Sequence, residues 1–315
     1  MNNLKIAIIT RRIHRLIKLF LLVVLSFLFI ITACNKPITQ NTNISTLEKE
    51  TPSDCRVIKH RRGEACVPLE PKRIVALDVP AILDPLIALD IKPLGTVVDS
   101  FGDGQDWSGN RYFPALLPEL VEGIEIVGVE PTPSVEKILK LKPDLILLAN
   151  QFESSYEQLS KIAKIVGKQK QGEEVLARYQ ERISKFNERL GKRLVNSEIS
   201  VLGYYQNQLY ISANWASYFQ VFRDIGLKIK PILLKKKEFS NISIETVSDF
   251  DADIMFFIEF NSPSKPLLQN PLIQSLSAVK NNRAYFVDAT VWEFYGPIGM
   301  NLFLDDLSKY LLEGK

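Results

Sequence analysis

Gly172-Glu173-Glu174-Val175-Leu176-Ala177-Arg178-Tyr179-Gln180-Glu181-Arg182-Ile183-Ser184-Lys185-Phe186-Asn187-Glu188-Arg189-Leu190 is the stretch on which the fold turns. Val175, Leu176, Tyr179, Ile183, Phe186 and Leu190 recur every three or four residues, the period of a helix with one apolar face. The opposite face is charged, with Glu174/Arg178 and Glu181/Lys185 at the supportive i,i+4 spacing. Gly191 follows as a C-terminal cap. At about 1.5 Å per residue such a helix is roughly 30 Å long, the width of a small domain.

The two sides of this helix are built alike. Before it stand Ser134-Val135-Glu136-Lys137-Ile138 and Asp144-Leu145-Ile146-Leu147-Leu148. After it stand Ser243-Ile244-Glu245-Thr246-Val247 and Asp253-Ile254-Met255-Phe256-Phe257. Each copy reads as a short helix carrying a Glu, then an Asp eight residues on, then an apolar strand. One long helix between two such halves predicts two lobes with a cleft between them. Two ordinary helix–strand units that are alike by chance would read the same way.

The N-terminus sets the compartment. Residues 1–33 carry Lys5, Arg11, Arg12, Arg15 and Lys18 and no acidic residue, followed by an apolar run from Leu19 to Thr32. This is a basic n-region and an h-region too short for a comfortable membrane span. It ends in Ile31-Thr32-Ala33-Cys34, small residues before a Cys, the pattern of a bacterial lipobox. Cleavage there leaves Cys34 as a lipidated first residue; a plain signal peptide or an uncleaved anchor is the other reading. The whole chain carries +3, and removing the five basic residues of the leader leaves −2, so a basic nucleic-acid binder is not implied.

Of three cysteines, Cys55 and Cys66 remain once Cys34 takes lipid. Between them, two short strands around Arg62-Gly63 predict a hairpin. A disulfide there suits an oxidising compartment and contributes about 2–3 kcal/mol; two unpaired thiols are the alternative. Residues 35–54 are polar and lack periodicity, and read as a tether.

Roughly 280 residues beyond the leader are enough for two modest cores. Arg73-Ile74-Val75-Ala76-Leu77 is a strand, Asp78 an N-cap, and Pro85 a kink or restart in the helix that follows. The next strand, Lys92 to Val98, leads into Gly102-Asp103-Gly104-Gln105-Asp106-Trp107-Ser108-Gly109-Asn110-Arg111-Tyr112. This segment has no apolar period and follows a strand, where α/β sheets place ligand loops. Trp107, Arg111 and Tyr112 are the candidate binding residues there, with a surface loop around a half-buried Trp as the alternative. In the second half, Ile199–Tyr205 and Leu209–Ser212 flank Asn207-Gln208 as a hairpin. Trp215 and Tyr218 then open a helix ending at Gly226, placed either at the cleft mouth or packed on their own helix. Lys235-Lys236-Lys237 reads as a solvated run, and Pro297 starts a final apolar-faced helix.

Enzyme chemistry finds little support. His14 leaves with the leader, so His60 is the single remaining His, which argues against a nucleophilic triad and a multi-His zinc site. No Gly-rich phosphate loop is present, and the carboxylates show no readable acid/base pairing. We therefore expect no enzymatic activity, no cofactor and no metal ligands.

Taken in order, these features resemble the iron–siderophore substrate-binding lipoproteins of bacterial ABC importers, the helical-backbone type that also binds haem and cobalamin. The resemblance is carried by Cys55-Arg56-Val57-Ile58 with Glu64-Ala65-Cys66-Val67-Pro68, by Pro71-Lys72-Arg73-Ile74-Val75-Ala76-Leu77, and by Leu89-Asp90-Ile91-Lys92-Pro93-Leu94-Gly95. Further matches are Val135-Glu136-Lys137-Ile138 with Leu141-Lys142-Pro143-Asp144-Leu145-Ile146, then Ala278-Val279-Lys280-Asn281-Asn282-Arg283-Ala284-Tyr285, Trp292 and Gly296-Pro297. It covers nearly all of residues 55–312. The implied fold is α/β, two α/β lobes joined by one long helix, class III periplasmic-binding-protein-like. The implied order is signal peptide 1–33, tether 34–54, N-terminal lobe 55–163, linker helix 164–195 and C-terminal lobe 196–315.

The implied function is capture of a ferric siderophore between the lobes and delivery to an ABC permease and its ATPase. The chain would act as a monomer, lipid-anchored on the periplasmic or cell-surface side of the membrane. Cobalamin or haem as cargo is the alternative within the fold. A degenerate homologue with a surface binding or structural role is the alternative outside it. A ferric siderophore brings its own iron coordination, so the cleft needs aromatic faces and a few donors such as Arg111. The resemblance adds Trp292 to the cleft. It also implies that Glu136 and Glu245, one per lobe, dock against permease arginines. In one place the chain departs from the family: after Tyr156–Ala163 roughly twenty residues are absent, which leaves the first lobe short of a strand and a sheet edge to be covered otherwise.

Overall fold

The structure is a computed structural model that describes residues 55–60, 63–98, 116–149, 154–194, 196–214, 216–235, 237–259, 265–293 and 296–313. The leader, the tether and Cys34 lie outside the described residues. Strands β1 (Cys55–His60) and β2 (Gly63–Pro68) pair antiparallel, with Cys55 and Cys66 joined as a disulfide.

The first lobe holds a five-stranded sheet in the order β6-β5-β4-β3-β7. Its strands are β3 (Ile74–Ala76), β4 (Gly95–Val98), β5 (Glu125–Val129), β6 (Thr132–Pro133) and β7 (Leu145–Leu147). All pairings are parallel except β5 with β6. After β3 the Asp78 carboxylate accepts from Ala81 N at 2.7 Å and opens a π-helical turn, Val79–Leu83. Helix α1 (Asp84–Ala88) continues it with Pro85 inside the first turn, so Pro85 is accommodated as a restart. Helix α2 (Val135–Leu141) covers one sheet face through Ile138, which joins Val75, Val97 and Val127. Helix α3 (Ser155–Val166) covers the other, starting in a capping box of Ser154 and Glu157.

The linker helix starts later than the sequence implies. Residues 164–166 close α3, Gly167 terminates it at φ +77, and α4 (Gln169–Leu190) begins two residues on. The hairpin clasps this junction. The Arg56 guanidinium donates to Lys164 O at 2.7 Å and to Ile165 O at 3.1 Å, satisfying carbonyls that end α3, and also to Leu69 O just after β2. A Cβ at Gly167 would stand 2.9 Å from Arg56 Nη2, so the turn and the clasp require a glycine together. Val175 of α4 belongs to the first lobe's core, whereas Tyr179, Ile183, Phe186 and Leu190 belong to the second's. The shortened junction therefore leaves only the first turns of the linker to the first lobe.

The second lobe is built on β8 (Glu198–Tyr205), β9 (Gln208–Ile211), β10 (Lys228–Ile229), β11 (Ser240–Ile242), β12 (Ile254–Glu259) and β13 (Ala284–Asp288). The sheet runs β11-β9-β8-β12-β13, with β10 also pairing β8. Gln206 and Asn207, both at positive φ, make the β8–β9 turn, one residue earlier than the sequence suggests. Helices α5 (Ser217–Asp224) and α6 (Pro297–Leu311) flank the sheet. The core is aromatic: the Trp292 ring lies 4.5 Å from Phe256 and 4.7 Å from Phe303.

The repeated units perform the same task. Asp144 accepts Lys72 N at 2.8 Å and Arg73 N at 2.9 Å, holding the start of β3 beside β7. Asp253 accepts Glu198 N at 2.8 Å, holding the start of β8 beside β12. The Asp is thus a strand-start staple in both lobes, and the likeness of the two units extends to function within the fold.

Candidate functional site

Parallel strands end at Val98, Leu147, Glu259 and Asp288, and ligand loops of α/β folds follow such ends. The segments after β4, β7 and β12 (99–115, 150–153 and 260–264) lie outside the described residues, as does Trp215. Trp107, Arg111, Tyr112 and Trp215 are therefore candidates whose positions the described residues do not include.

Among the described residues, three polar contacts stand where the lobes and the linking helix come together, the first of them between the lobes themselves. Asp84 of α1 is buried, and its carboxylate oxygens accept Ile298 N and Gly299 N, both at 2.8 Å, at the N-terminus of α6. A carboxylate against a helix N-terminus meets free N–H donors and the positive end of the helix dipole. Burial pushes its carboxyl up to about 7, against the lowering pull of the two amides. Gly296 makes the approach possible, since a Cβ there would fall 2.1 Å from Asp84 Cγ. Second, the rings of Tyr156 from α3 and Tyr179 from α4 stand 4.7 Å apart, and Tyr179 Oη donates to Asp224 Oδ2 of α5 at 2.9 Å. Burial, ahead of the Asp224 charge, raises the Tyr179 phenol above its ordinary range. Third, Arg182 of α4 donates to Asn301 Oδ1 of α6 at 2.9 Å and pairs with Asp305. A cavity of about 290 Å³ lies beside the second contact, lined by Tyr156, Leu176, Tyr179, Gln180, Gln220 and Asp224 among others.

Two expected cleft residues are core residues instead. Trp292 is 1 % exposed, its ring among Phe222, Phe256 and Phe303 and its Nε1 donating to Asp306 Oδ2 at 2.9 Å. Tyr218 is also 1 % exposed and packs on Phe219 and Phe222, and burial pushes its phenol well above the ordinary range. Both sit on the inward face of a short helix, where an aromatic ring gains most by leaving water. The polar group next to them was missed: the Glu293 carboxylate accepts Tyr210 Oη at 3.0 Å and Ser212 Oγ at 3.2 Å. Gly203 signals it in the sequence, because the Tyr210 ring crosses that position at less than van der Waals distance from any Cβ.

Glu136 and Glu245 are both exposed to solvent. Glu136 follows the Ser134 N-cap and pairs with Lys140 at 2.8 Å. Glu245 stands in a 3-10 helix, Ile244–Phe250, and accepts from Ser243 Oγ. Among the described residues no group of three His, Cys, Asp or Glu side chains is placed to hold a metal ion, and no helix is long and apolar enough to cross a membrane.

The family model described as periplasmic binding protein matches residues 148–291. The chain is 30 % identical to the probable siderophore-binding lipoprotein YfiY of Bacillus subtilis over 336 aligned positions, covering 94 % of this chain and 98 % of that one. It is 29 % identical to the Fe(3+)-citrate-binding protein YfmC of Bacillus subtilis, over 84 % of this chain and 86 % of the relative. Among solved structures, Staphylococcus aureus SirA complexed with staphyloferrin B superposes with a TM-score of 0.70 at 24 % identity, covering 81 % of this chain and 98 % of SirA. FeuA of Bacillus subtilis, complexed with ferri-bacillibactin, superposes with a TM-score of 0.68 at 22 % identity, covering 82 % and 98 %. These likenesses carry the fold, two α/β lobes on one linking helix. The near full-length relationship to YfiY, together with the family match, places the chain in the periplasmic binding protein family, among relatives named as siderophore-binding lipoproteins.

Proposed function

We propose that this chain is the extracytoplasmic substrate-binding component of an ABC importer and that it carries a ferric siderophore between its lobes. The observation that carries this reading is the relationship to a siderophore-binding lipoprotein along almost the whole of both chains. A two-lobed fold tied at one side by α4 and Asp84 suits it, since such a frame keeps a cleft open at a nearly constant width. Trp107, Arg111, Tyr112 and Trp215 are the binding residues of this reading. The aromatic rings give apolar faces to a bulky chelate, and Arg111 gives charge-assisted bonds to carboxylate or hydroxamate oxygens. Cys34 carries the lipid anchor, the receptor works as a monomer, and Glu136 and Glu245 meet the permease, which an ATPase drives.

The test is tryptophan quenching of residues 35–315 against ferric siderophores, haem and cobalamin. Because Trp292 is sealed in the core, the signal comes from Trp107 and Trp215. Saturable quenching by one ferric siderophore class, retained in Trp292→Phe and lost in Trp215→Phe with Trp107→Phe, is the expected result. Saturation by cobalamin or haem alone moves the cargo, and silence from a folded protein overturns the reading.

A further inference from the structure

The cavity at the joint between the lobes lies apart from the strand-end segments assigned to the binding cleft. All its lining residues are helical: they belong to α3 of the first lobe, to the linking helix α4 and to α5 of the second lobe. At about 290 Å³ it has the room of roughly ten water molecules, too much for one bridging water. It opens to solvent beside Asp224, which is exposed.

Three oxygens around it have unspent acceptor capacity. Tyr156 and Gln220 are half-buried residues with their polar tips turned inward, and Tyr156 Oη and Gln220 Oε1 have no hydrogen-bond partner among the described residues. Tyr156 Oη meets the Tyr179 phenol without the geometry of a hydrogen bond, and the Tyr179 proton is already given to Asp224 Oδ2. The other carboxylate oxygen, Asp224 Oδ1, accepts no hydrogen bond among the described residues. No Lys or Arg among them forms an ion pair with Asp224; Arg223 acts on it as a neighbouring charge only. A buried polar atom left without a partner costs about 1–3 kcal/mol, so this set calls for a guest that brings donors. Leu176 and Ile183 complete the wall with apolar surface. The rings of Tyr156 and Tyr179, 4.7 Å apart, favour a cation over a neutral guest.

We propose that this cavity binds a small primary ammonium ion carried on a short aliphatic stem. The three N–H bonds of the ion equal in number the three oxygens, one each from Tyr156, Gln220 and Asp224, and its charge balances the carboxylate that lacks an ion pair. The stem lies on Leu176 and Ile183. A metal ion would find a single charged ligand in this set. Because the oxygens come from both lobes, the ion fastens the joint and stabilises the two-lobed state by mass action. The proposal stands apart from the importer reading and assigns the joint a ligand of its own.

The test is isothermal titration of the full chain in detergent with n-butylammonium chloride. Sodium chloride, n-butanol and tetramethylammonium chloride are the controls. Saturable one-to-one binding of n-butylammonium is expected. Tetramethylammonium, which has the charge and no N–H donor, should bind about tenfold more weakly or not at all. Asp224→Asn and Gln220→Leu, both close in shape to the native side chains, should each weaken n-butylammonium by about tenfold. Three results overturn the proposal: no saturable binding to the wild-type chain, equal binding of tetramethylammonium, or an Asp224→Asn affinity within about twofold of wild type. Should a variant fail to fold, as its thermal unfolding would reveal, the wild-type comparison of the two ammonium ions still decides. No arm involves a siderophore, so the outcome is independent of the cargo.

Discussion

The two helix–strand units, Ser134 to Leu147 and Ser243 to Glu259, share a pattern and differ in their surroundings. Each has an exposed Glu, an apolar residue turned inward and an Asp that binds the start of a neighbouring strand. Ile138 is 7 % exposed and Val247 1 %, so the inward position behaves alike. The strands do not. β12 lies between β8 and β13, and Ile254 through Ile258 are all buried; β7 lies at the sheet edge, and Ile146 is nearly half exposed. The helices differ as well, α-helical and capped by Ser134 in one lobe, 3-10 in the other. An apolar run after an Asp therefore specifies a strand, and its neighbours decide how much of that strand leaves water.

The largest effect should come from opposing strand positions. Phe257→Ala in β12 removes a fully buried ring and should cost about 3–5 kcal/mol, whereas Ile146→Ala in β7 should cost about 1 kcal/mol or less. Urea unfolding measures both. An Ile146→Ala cost as large as that of Phe257→Ala would show that the β7 edge is covered, and the comparison would collapse.

Three of the acids that bind backbone amides, Asp84, Asp144 and Asp253, sharpen it. Asp84 is buried while Asp144 and Asp253 lie near solvent, so Asp84→Ala, which strands two amides, should cost about 1–3 kcal/mol. Its pH signature follows from the sign of the shift. Asp84 has its folded pKa raised to about 7, so folding favours the protonated form. The contribution is whole below the ordinary Asp range near pH 4 and is lost as pH rises through about 7. Subtracting the stability profile of Asp84→Asn from that of wild type should leave a fall between those two values; a flat difference would refute it.

Asp144→Ala and Asp253→Ala come next. Asp144 accepts two amides and Asp253 one, so losses of about 1–2 and about 1 kcal/mol are expected in chemical denaturation. A larger loss at Asp253 would mean that position in the sheet outweighs the number of bonds. The smallest effect on stability belongs to the outer carboxylates: Glu136→Ala and Glu245→Ala should each shift it by no more than about 0.5 kcal/mol. Siderophore binding should persist in the double variant while uptake drops, and unimpaired transport would remove the docking role.

Much of this molecule was legible in the order of its residues. The period of Val175, Tyr179, Ile183, Phe186 and Leu190 names the helix and its buried stripe before any contact is known, because helical geometry repeats every 3.6 residues. The spacing of Cys55 and Cys66 in two β-rich runs likewise places the hairpin, because pairing there depends on neighbours close in sequence. The repeated Glu and Asp mark matching places in both lobes. Contacts between residues far apart in the chain were not legible. No local pattern tells that Asp84 caps a helix 214 residues away, or that Arg56 ends α3 across the junction. Nor does a pattern tell a cleft aromatic from a core one: Trp292 and Tyr218 read as binding residues, and the tertiary structure buried them. A side chain's burial is set by which elements close over it, and local sequence specifies the element without specifying its cover. The sequence by itself thus determined the elements and the two-lobed repeat. The tertiary structure decided which faces are sealed, which strand ends each sheet among the described residues and where the lobes are fastened, since those depend on summed contacts between distant segments.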